Sequence, residues 1–179
     1  MDLDVGRGRW AVRRDLAGPV GELFVRTRLT VSAAILTSAG VEFPYRIHGG
    51  DELWSFSDVT RRAAVCDTAA GDVLMAWDDK AAAAVLAGLT ADERHALIGR
   101  LVTVRRNGFA IHASSSPAAV CVAVRLSAGD GEAAALTVRG RRGRVDVPFL
   151  VGQLQLVAER FRCTRSSVHR MPDRLSHGR

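Results

Sequence analysis

A run of small residues in front of an apolar segment is the first feature of this sequence that predicts a binding site. Thr68-Ala69-Ala70-Gly71 precedes residues 72–77, which the pattern predicts to be helical. The first turn of a helix presents unpaired N–H groups and about half a positive charge. Small side chains let a carboxylate approach such donors closely, so the run predicts an anion-binding loop. The alternative interpretation is a tight turn packed on a sheet.

Two charged residues bear on this hypothesis. Asp72 directly follows the loop and is expected to disfavour an anion there unless its side chain points away. Arg139 lies two residues after Thr137 on a predicted strand, so the two share one face of that strand. A guanidinium that faces a pocket clamps a carboxylate in bidentate fashion. The alternative is that Arg139 belongs with Arg141 and Arg142 to a solvated basic turn.

The cysteines and histidines give little support to metal or nucleophilic chemistry. Cys66, Cys121 and Cys163 are odd in number and far apart, which favours reduced thiols in a cytoplasmic protein over a disulfide scaffold. The absence of CxxC and HxxxH pairs argues against a structural zinc site. A thiolate pair of Cys66 with His48 or His112 remains an enzymatic alternative. We expect no metal, no cofactor and no catalytic residue.

Charge and hydropathy limit the kinds of binding partner and cellular location that we expect for this chain. The net charge of +6 is concentrated at the ends: residues 1–28 carry +2 and residues 160–179 carry +5, leaving −1 for residues 29–159. A neutral body argues against DNA binding by this chain, despite the pI near 10.4. No apolar run reaches 18 residues and no signal-peptide pattern occurs, so neither a membrane span nor a secreted precursor is expected.

The order of the predicted elements indicates an α+β fold. Apolar spacing of three and four predicts a first helix over residues 15–28, followed by a hairpin of residues 29–38 and 41–48 and a short strand at 53–56. Two short helices follow the Thr68–Gly71 loop. A helix over residues 91–105 begins with a capping box of Thr90 and Glu93 and stops at Asn107-Gly108. A strand at 109–112, a hairpin of residues 119–126 and 132–139, and a helix over 147–161 complete an antiparallel sheet with segregated helices.

Three segments, taken in order, resemble the effector-binding domain of the IclR family of bacterial transcription regulators. The first is A64-V-C-D-T-A-A-G-D-V-L-M-A76, similar to the family's P-L-H-A-T-A-x-G-K-A-L-L-A. The second is I98-G-R-L-V-T-V-R-R-N-G-F-A110, similar to the run into I-R-x-x-G-Y-A. The third is V120-C-V-A-V-R125 with A134-A-L-T-V-R-G140, similar to C-V-A-A-P-V and A-A-L-S-V-S-G. The resemblance extends over about residues 15–162.

The resemblance implies a GAF-like fold, a curved antiparallel sheet with helices on one side and a small-molecule pocket on the other. In the family, the loop corresponding to Thr68, Ala69, Ala70 and Gly71 binds small organic acids. Cys121, Thr137 and Arg139 match strand positions that line the pocket, and His112 matches a polar residue that reaches the ligand; the alternative for His112 is a surface strand residue. Counting from the turn near Gly129, Cys121 and Thr137 are diagonal on one face. We therefore expect a cavity bounded by residues 68–71, Cys121 and Thr137.

The departures from the family pattern keep two functions open. The family's Pro, His and Lys are replaced by Ala64, Cys66 and Asp72, and of the winged helix-turn-helix only residues 8–12 resemble a wing strand. We divide the chain into a linker or remnant, 1–14, the effector-binding domain, 15–162, and a basic, disordered tail, 163–179.

The first hypothesis is a domain that senses an organic acid and dimerises. DNA would be contacted only through a winged-helix domain that this chain lacks. The chain would then be an excised domain, a truncated reading frame or a stand-alone sensor. The second is an interaction module with a degenerate pocket that pairs with a full-length regulator. Family domains pair through helices and sheet edges, so a homo-oligomer is expected in either case.

Overall fold

The structure of the chain is a computed structural model that describes residues 15–50, 62–115, 118–128 and 132–168. The predicted strand at 53–56 and the wing-like residues 8–12 lie outside the described residues. The described helices are α1 (Ala17–Thr27), α2 (Ala69–Met75), α3 (Asp79–Leu86), α4 (Ala91–Asn107) and α5 (Val147–Val168). The strands are β1 (Thr30–Thr37), β2 (Gly40–Ile47), β3 (Arg62–Ala63), β4 (Phe109–Ser115), β5 (Ala118–Ala128) and β6 (Glu132–Arg141), and a 3₁₀ turn covers Val65–Asp67.

The strands form one sheet, in the order β3-β2-β1-β6-β5-β4, and each described pairing is antiparallel. The β5–β6 hairpin pairs continuously from Ala128–Glu132 to Ala119–Arg141. The predicted α+β class with an antiparallel sheet is thereby confirmed. Since β1 pairs with both β2 and β6, the two hairpins join in the middle of the sheet.

Helices cover both faces of this sheet, not one face as the resemblance implied. Leu23 of α1 and Leu154 of α5 pack with Val122 and other residues of one face in a single buried cluster. Val73 of α2 and Leu101 of α4 belong to a second cluster on the opposite face. The strands of the centre carry apolar side chains at odd and even positions, and a two-sided apolar sheet must be covered on both faces to exclude water.

A β-bulge in β2 overturns one prediction about that strand. Pairing moves from Ala33–Tyr45 to Ile35–Glu42, so β2 supplies one residue more than β1. Because a one-residue slip reverses the facing of every later side chain, alternation does not continue through the bulge. The prediction put Val41, Phe43, Tyr45 and Ile47 on one face. Instead, the first two pack with α2 and the last two with α1 and α5.

The ends of α4 follow the predicted signals. Thr90 Oγ1 accepts the Glu93 N–H, and the Glu93 carboxylate accepts the Thr90 N–H at 2.9 Å, which completes the capping box. Gly108 ends the helix with φ of 80°, in the left-handed region that glycine enters without strain.

The last helix is longer than predicted. It continues past residue 161 to Val168, so residues 163–168 are helical and do not belong to a disordered tail. Residues 169–179 lie outside the described part of the chain.

Candidate functional site

Three of the expected site residues form one row across the sheet. His112 of β4 pairs directly with Cys121 of β5, which pairs with Arg139 of β6, which pairs with Thr30 of β1. Directly paired residues of antiparallel strands point to the same side, so these four share a face. Thr137 lies in the neighbouring row, opposite Ala123, and therefore diagonal to Cys121 as the count from the turn predicts.

Buried hydroxyl groups mark this part of the sheet. Thr30, Ser32 and Thr137 are the buried serines and threonines among the described residues. Thr137 Oγ1 donates to the Ser32 carbonyl at 3.3 Å, and the Gly49 N–H donates to Thr30 Oγ1 at 2.9 Å. The hydrogen bonds offset the cost of removing these groups from water.

Arg46 of β2 adds a guanidinium that the sequence reasoning missed. It pairs with Ser32, and its Nε donates to Ser32 Oγ at 3.0 Å. The guanidinium also stacks on the Phe43 ring, 4.7 Å from its centroid. Arg46 therefore lies in the same row as Thr137, one row away from Arg139. Its position between two apolar residues of β2 was the available signal, because a charged residue facing a helix-covered sheet surface is unusual.

The Thr68–Gly71 loop is packed closely, and one of its N–H groups is hydrogen-bonded within the loop. Thr68 is the N-cap of α2, and its Oγ1 accepts the Gly71 N–H at 2.9 Å, so this donor is taken within the loop itself. Ala69, Ala70 and Gly71 are buried. A Cβ added to Gly71 would overlap the Val65 carbonyl, which shows why glycine is needed where the 3₁₀ turn touches the helix. The tight packed turn describes this loop better than an open anion cradle.

Asp72 lies at the centre of a buried ion-pair cluster. Its side chain is 2% exposed, and its Oδ2 accepts Arg100 Nε at 3.0 Å and His112 Nε2 at 2.8 Å. Arg100 Nη2 also donates to the Cys66 carbonyl at 3.3 Å, which ties the turn before α2 to α4. The carboxylate is thus turned away from solvent and compensated by a guanidinium. The expected repulsion between Asp72 and an anion at the loop is correspondingly reduced.

The Cys66 thiol is poorly suited to nucleophilic chemistry. Burial raises its pKa above the ordinary value, and the carboxylates of Asp67, Asp72 and Glu93 act in the same direction. Arg100 lowers the pKa without reversing the shift. Nucleophilic cysteines have the opposite property, a lowered pKa. His112, a possible base for such a cysteine, directs its Nε2 at Asp72.

A cleft of about 440 Å³ lies between α4 and the edge strand β4. Arg100, Thr103 and Asn107 of α4 form one wall, Phe109 and Ile111 form the other, and Asp72 contributes to the lining. This cleft is separate from the expected cavity bounded by residues 68–71, Cys121 and Thr137. Asp72, which directly follows the Thr68–Gly71 loop, is one of the residues that line it.

Two classes of site are not seen in the part of the chain that the structure describes. No group of three or more metal-ligating side chains comes together there. Nor does any described helix combine the length and apolar character that crossing a bilayer requires.

An antiparallel sheet with helices on both faces and a polar patch of hydroxyls and arginines on one of them defines a two-sided α+β domain. The sequence model of the bacterial transcriptional regulator IclR C-terminal domain matches residues 8–160. The chain therefore belongs to the IclR family, and the matched part is the family's C-terminal effector domain. A search of curated proteins returns no match.

Several solved structures share the fold. An IclR homolog from Microbacterium hydrocarbonoxydans, solved with 4-hydroxybenzoate, has a TM-score of 0.73 at 19% identity, covering 88% of this chain and 69% of its own. The C-terminal domain of the E. coli regulator KdgR has a TM-score of 0.68 at 20% identity, covering 85% and 96%. The effector domain of a regulator from Acinetobacter sp. ADP1 has a TM-score of 0.69 at 18% identity, covering 83% and 94%.

Proposed function

We propose that this chain senses a small organic acid and that the acid's carboxylate binds to the sheet face carrying Arg139 and Arg46. The domain then works as the effector-binding and self-associating part of an IclR-type regulator. Sensing requires no covalent chemistry. DNA would be contacted through the winged-helix domain of such a regulator, in the cytoplasm.

The observation that carries this proposal is a change of side-chain type along two neighbouring strands. On one sheet face, β1 reads Ala34, Ser32, Thr30 and β6 reads Ala135, Thr137, Arg139. The alanines belong to the apolar cluster beneath α2. The hydroxyls and the arginine follow on the same face. A surface that needed only to pack a helix would have remained apolar, so the polar rows favour a ligand.

Charge favours an anionic ligand. The guanidiniums of Arg46 and Arg139 lie in adjacent rows of this face, and the nearby Asp72 carboxylate is turned towards Arg100 and His112. The planar guanidinium of arginine presents N–H donors in an arrangement that matches the two oxygens of a carboxylate. Because Thr68 occupies the Gly71 N–H, we assign the binding energy to the arginines and not to the helix start. The likeness to an IclR homolog solved with 4-hydroxybenzoate supports this ligand class.

Calorimetric titration with pyruvate, glyoxylate and 4-hydroxybenzoate tests the proposal. We expect one of these acids, or a close analogue, to bind in the submillimolar range. Arg139→Ala should weaken that binding by roughly 1.5–3 kcal/mol, the size of a charge-assisted hydrogen bond. The control is Arg106→Ala, an exposed arginine on α4, which should bind as the unaltered chain does. Failure of all three acids, or equal losses in the two variants, would refute the assignment.

The interaction module remains a second candidate because of one exposed surface. Ile98 and Val102 lie one turn apart on α4, and both are exposed. Exposed apolar groups that cluster are typical of protein–protein contacts. Absence of any acid binding, together with a stable complex between this chain and a full-length IclR-type regulator, would favour this candidate.

A further inference from the structure

The cleft between α4 and β4 has the size of a small-molecule site and lies apart from the arginines to which we assign the acid. Its volume of about 440 Å³ falls in the range of pockets that hold small ligands. Gly99, Thr103 and Asn107 lie along its helical wall, and Phe109 and Ile111 lie along its strand wall. A ligand in this cleft is therefore selected by a different set of side chains.

The charged groups of the cleft are already paired with each other. Among the described residues of its lining, Asp72 and Arg100 are the charged ones. The Asp72 carboxylate accepts Arg100 Nε at 3.0 Å, and Arg100 Nη2 also donates to the Cys66 carbonyl. An anion or a cation would lose hydration on entering and would gain little from charges that are already compensated. The cleft therefore favours an uncharged ligand.

The polar groups left for a ligand are a strand edge, an amide and a hydroxyl oxygen. β4 is the last strand of the described sheet, and alternate residues of an antiparallel edge strand turn both their N–H and their C=O outward. The Asn107 side chain is exposed and makes no hydrogen bond within the described part of the chain. Thr103 Oγ1 donates to the Gly99 carbonyl at 2.9 Å, which leaves its oxygen as an acceptor. A carboxamide carries the acceptor and the donors that match these groups.

Gly99 keeps the cleft open. A Cβ built on it meets nothing within 4 Å, so no residue that the structure describes requires glycine at this interior position of α4. Glycine is unfavourable there relative to alanine. Because Gly99 lines the cleft, a side chain at position 99 would enter the space that Ile111, 45% exposed, also lines. The bare helix backbone and the apolar strand wall suit a flat aromatic body.

We propose that the cleft between α4 and β4 binds an uncharged aromatic carboxamide. The ring lies between Gly99 and Ile111, and the amide hydrogen-bonds to Asn107 and the outer edge of β4. This second site goes beyond the proposed acid sensing and does not depend on it. The Asp72 carboxylate links the two sites directly, since it accepts both Arg100 beside the cleft and His112 on the acid-binding face.

Benzamide and benzoate test the class of ligand, because they have nearly the same shape and differ in charge. Calorimetric titration of the full chain with benzamide should give a dissociation constant of about 1 mM or below. In nitrogen–proton NMR spectra, benzamide should shift the amide signals of Gly99 and residues 109–111. Benzamide that fails to bind, or that shifts the signals around Arg139 instead, overturns the proposal. Benzoate that binds in the cleft as tightly as benzamide overturns the ligand class.

Gly99→Leu tests the cleft itself. The leucine side chain fills the space for the ring and should weaken benzamide binding by about tenfold or more, while α4 is retained because leucine is a good helix former. The matched control is Gly152→Leu, the same change at an exposed glycine of α5 with nothing within 4 Å, which should bind benzamide as the unaltered chain does. Circular dichroism confirms that both variants are folded. Undiminished binding by Gly99→Leu would show that the cleft is not the site.

The two proposed sites can fail separately. Arg139→Ala should weaken acid binding and leave benzamide binding unchanged, whereas Gly99→Leu should do the reverse. Benzamide binding that is lost in Arg139→Ala overturns the separate cleft site. An unaltered chain that binds benzamide and no acid supports the cleft and refutes only the proposed acid sensing.

Discussion

Asp72 of α2 and His112 of β4 are joined by a hydrogen bond of 2.8 Å between Oδ2 and Nε2, although forty positions separate them in the chain. The same carboxylate oxygen accepts Arg100 of α4. One buried anion therefore connects the short helix, the long helix and the edge strand. It also places His112 beside Cys121 on the face proposed to bind the effector.

Removing the charge of Asp72 should destabilise the fold. Asp72→Asn keeps the size of the side chain but leaves Arg100 and His112 facing an amide, for an expected loss of about 2 kcal/mol, less than for a fully buried pair because Arg100 is partly exposed. The matched control is Asp79→Asn, whose carboxylate pairs with Arg105 but is 91% exposed. An exposed pair contributes at most about 1 kcal/mol. Urea denaturation measures both; similar losses would contradict the buried role.

Two glycines should respond to alanine in opposite directions. Gly71→Ala introduces a methyl into the Val65 carbonyl, and we expect a loss of about 3 kcal/mol or a failure to fold. Gly99→Ala, in the exposed face of α4 where nothing lies within 4 Å, should gain up to about 1 kcal/mol from helix propensity. Thermal denaturation followed by circular dichroism compares the two. A tolerated Gly71→Ala would mean that the turn is not packed as described.

The capping box of α4 should make the stability of the fold depend on pH. The N–H and hydroxyl of Thr90 hydrogen-bond the Glu93 carboxylate and hold its pKa below the ordinary value. A lowered pKa in the folded state adds stability above the unfolded-state pKa of about 4.3, and that contribution disappears as the pH falls through the folded-state pKa. Glu93→Gln should therefore show a smaller loss of stability between pH 5 and pH 3 than the unaltered chain in urea titrations. Parallel curves for the two proteins would contradict this.

Thiol labelling should distinguish the cysteines. Because burial raises the pKa of the Cys66 thiol, little thiolate is present at neutral pH, and iodoacetamide should modify the exposed Cys163 first. The rate at Cys66 should climb only at alkaline pH. Mass spectrometry of timed samples gives both rates. Preferential labelling of Cys66 at pH 7 would instead revive a nucleophilic role for it.

Local signals in the sequence were sufficient for most elements. Thr90 with Glu93 and Gly108 predicted both ends of α4, because caps depend on residues within one turn. The β5–β6 hairpin was predictable for the same reason. So was the side of the sheet that each of its residues faces, since a short connection fixes the register. The end of α5 was missed because residues 162–168 contain neither glycine nor proline, so the sequence carries no signal that stops the helix after Phe161.

The candidate site was predictable only in part. Cys121, Thr137 and Arg139 were placed correctly on one face because they belong to one hairpin. Arg46 was missed because its partner, Ser32, lies fourteen positions away on β1, and helices were not expected on that face of the sheet. Arg100 was missed because its partner, Asp72, lies on another helix.

The sequence by itself determined the family, the α+β class, the caps and the hairpins, since each depends on neighbours in the chain or on an ordered set of motifs. Only the tertiary structure decided that helices cover both faces of the sheet and that Asp72 is buried and paired with Arg100 and His112. These outcomes depend on pairing between residues far apart in sequence. The free energy of a buried charge is governed by such partners and by its removal from water, neither of which a local pattern contains.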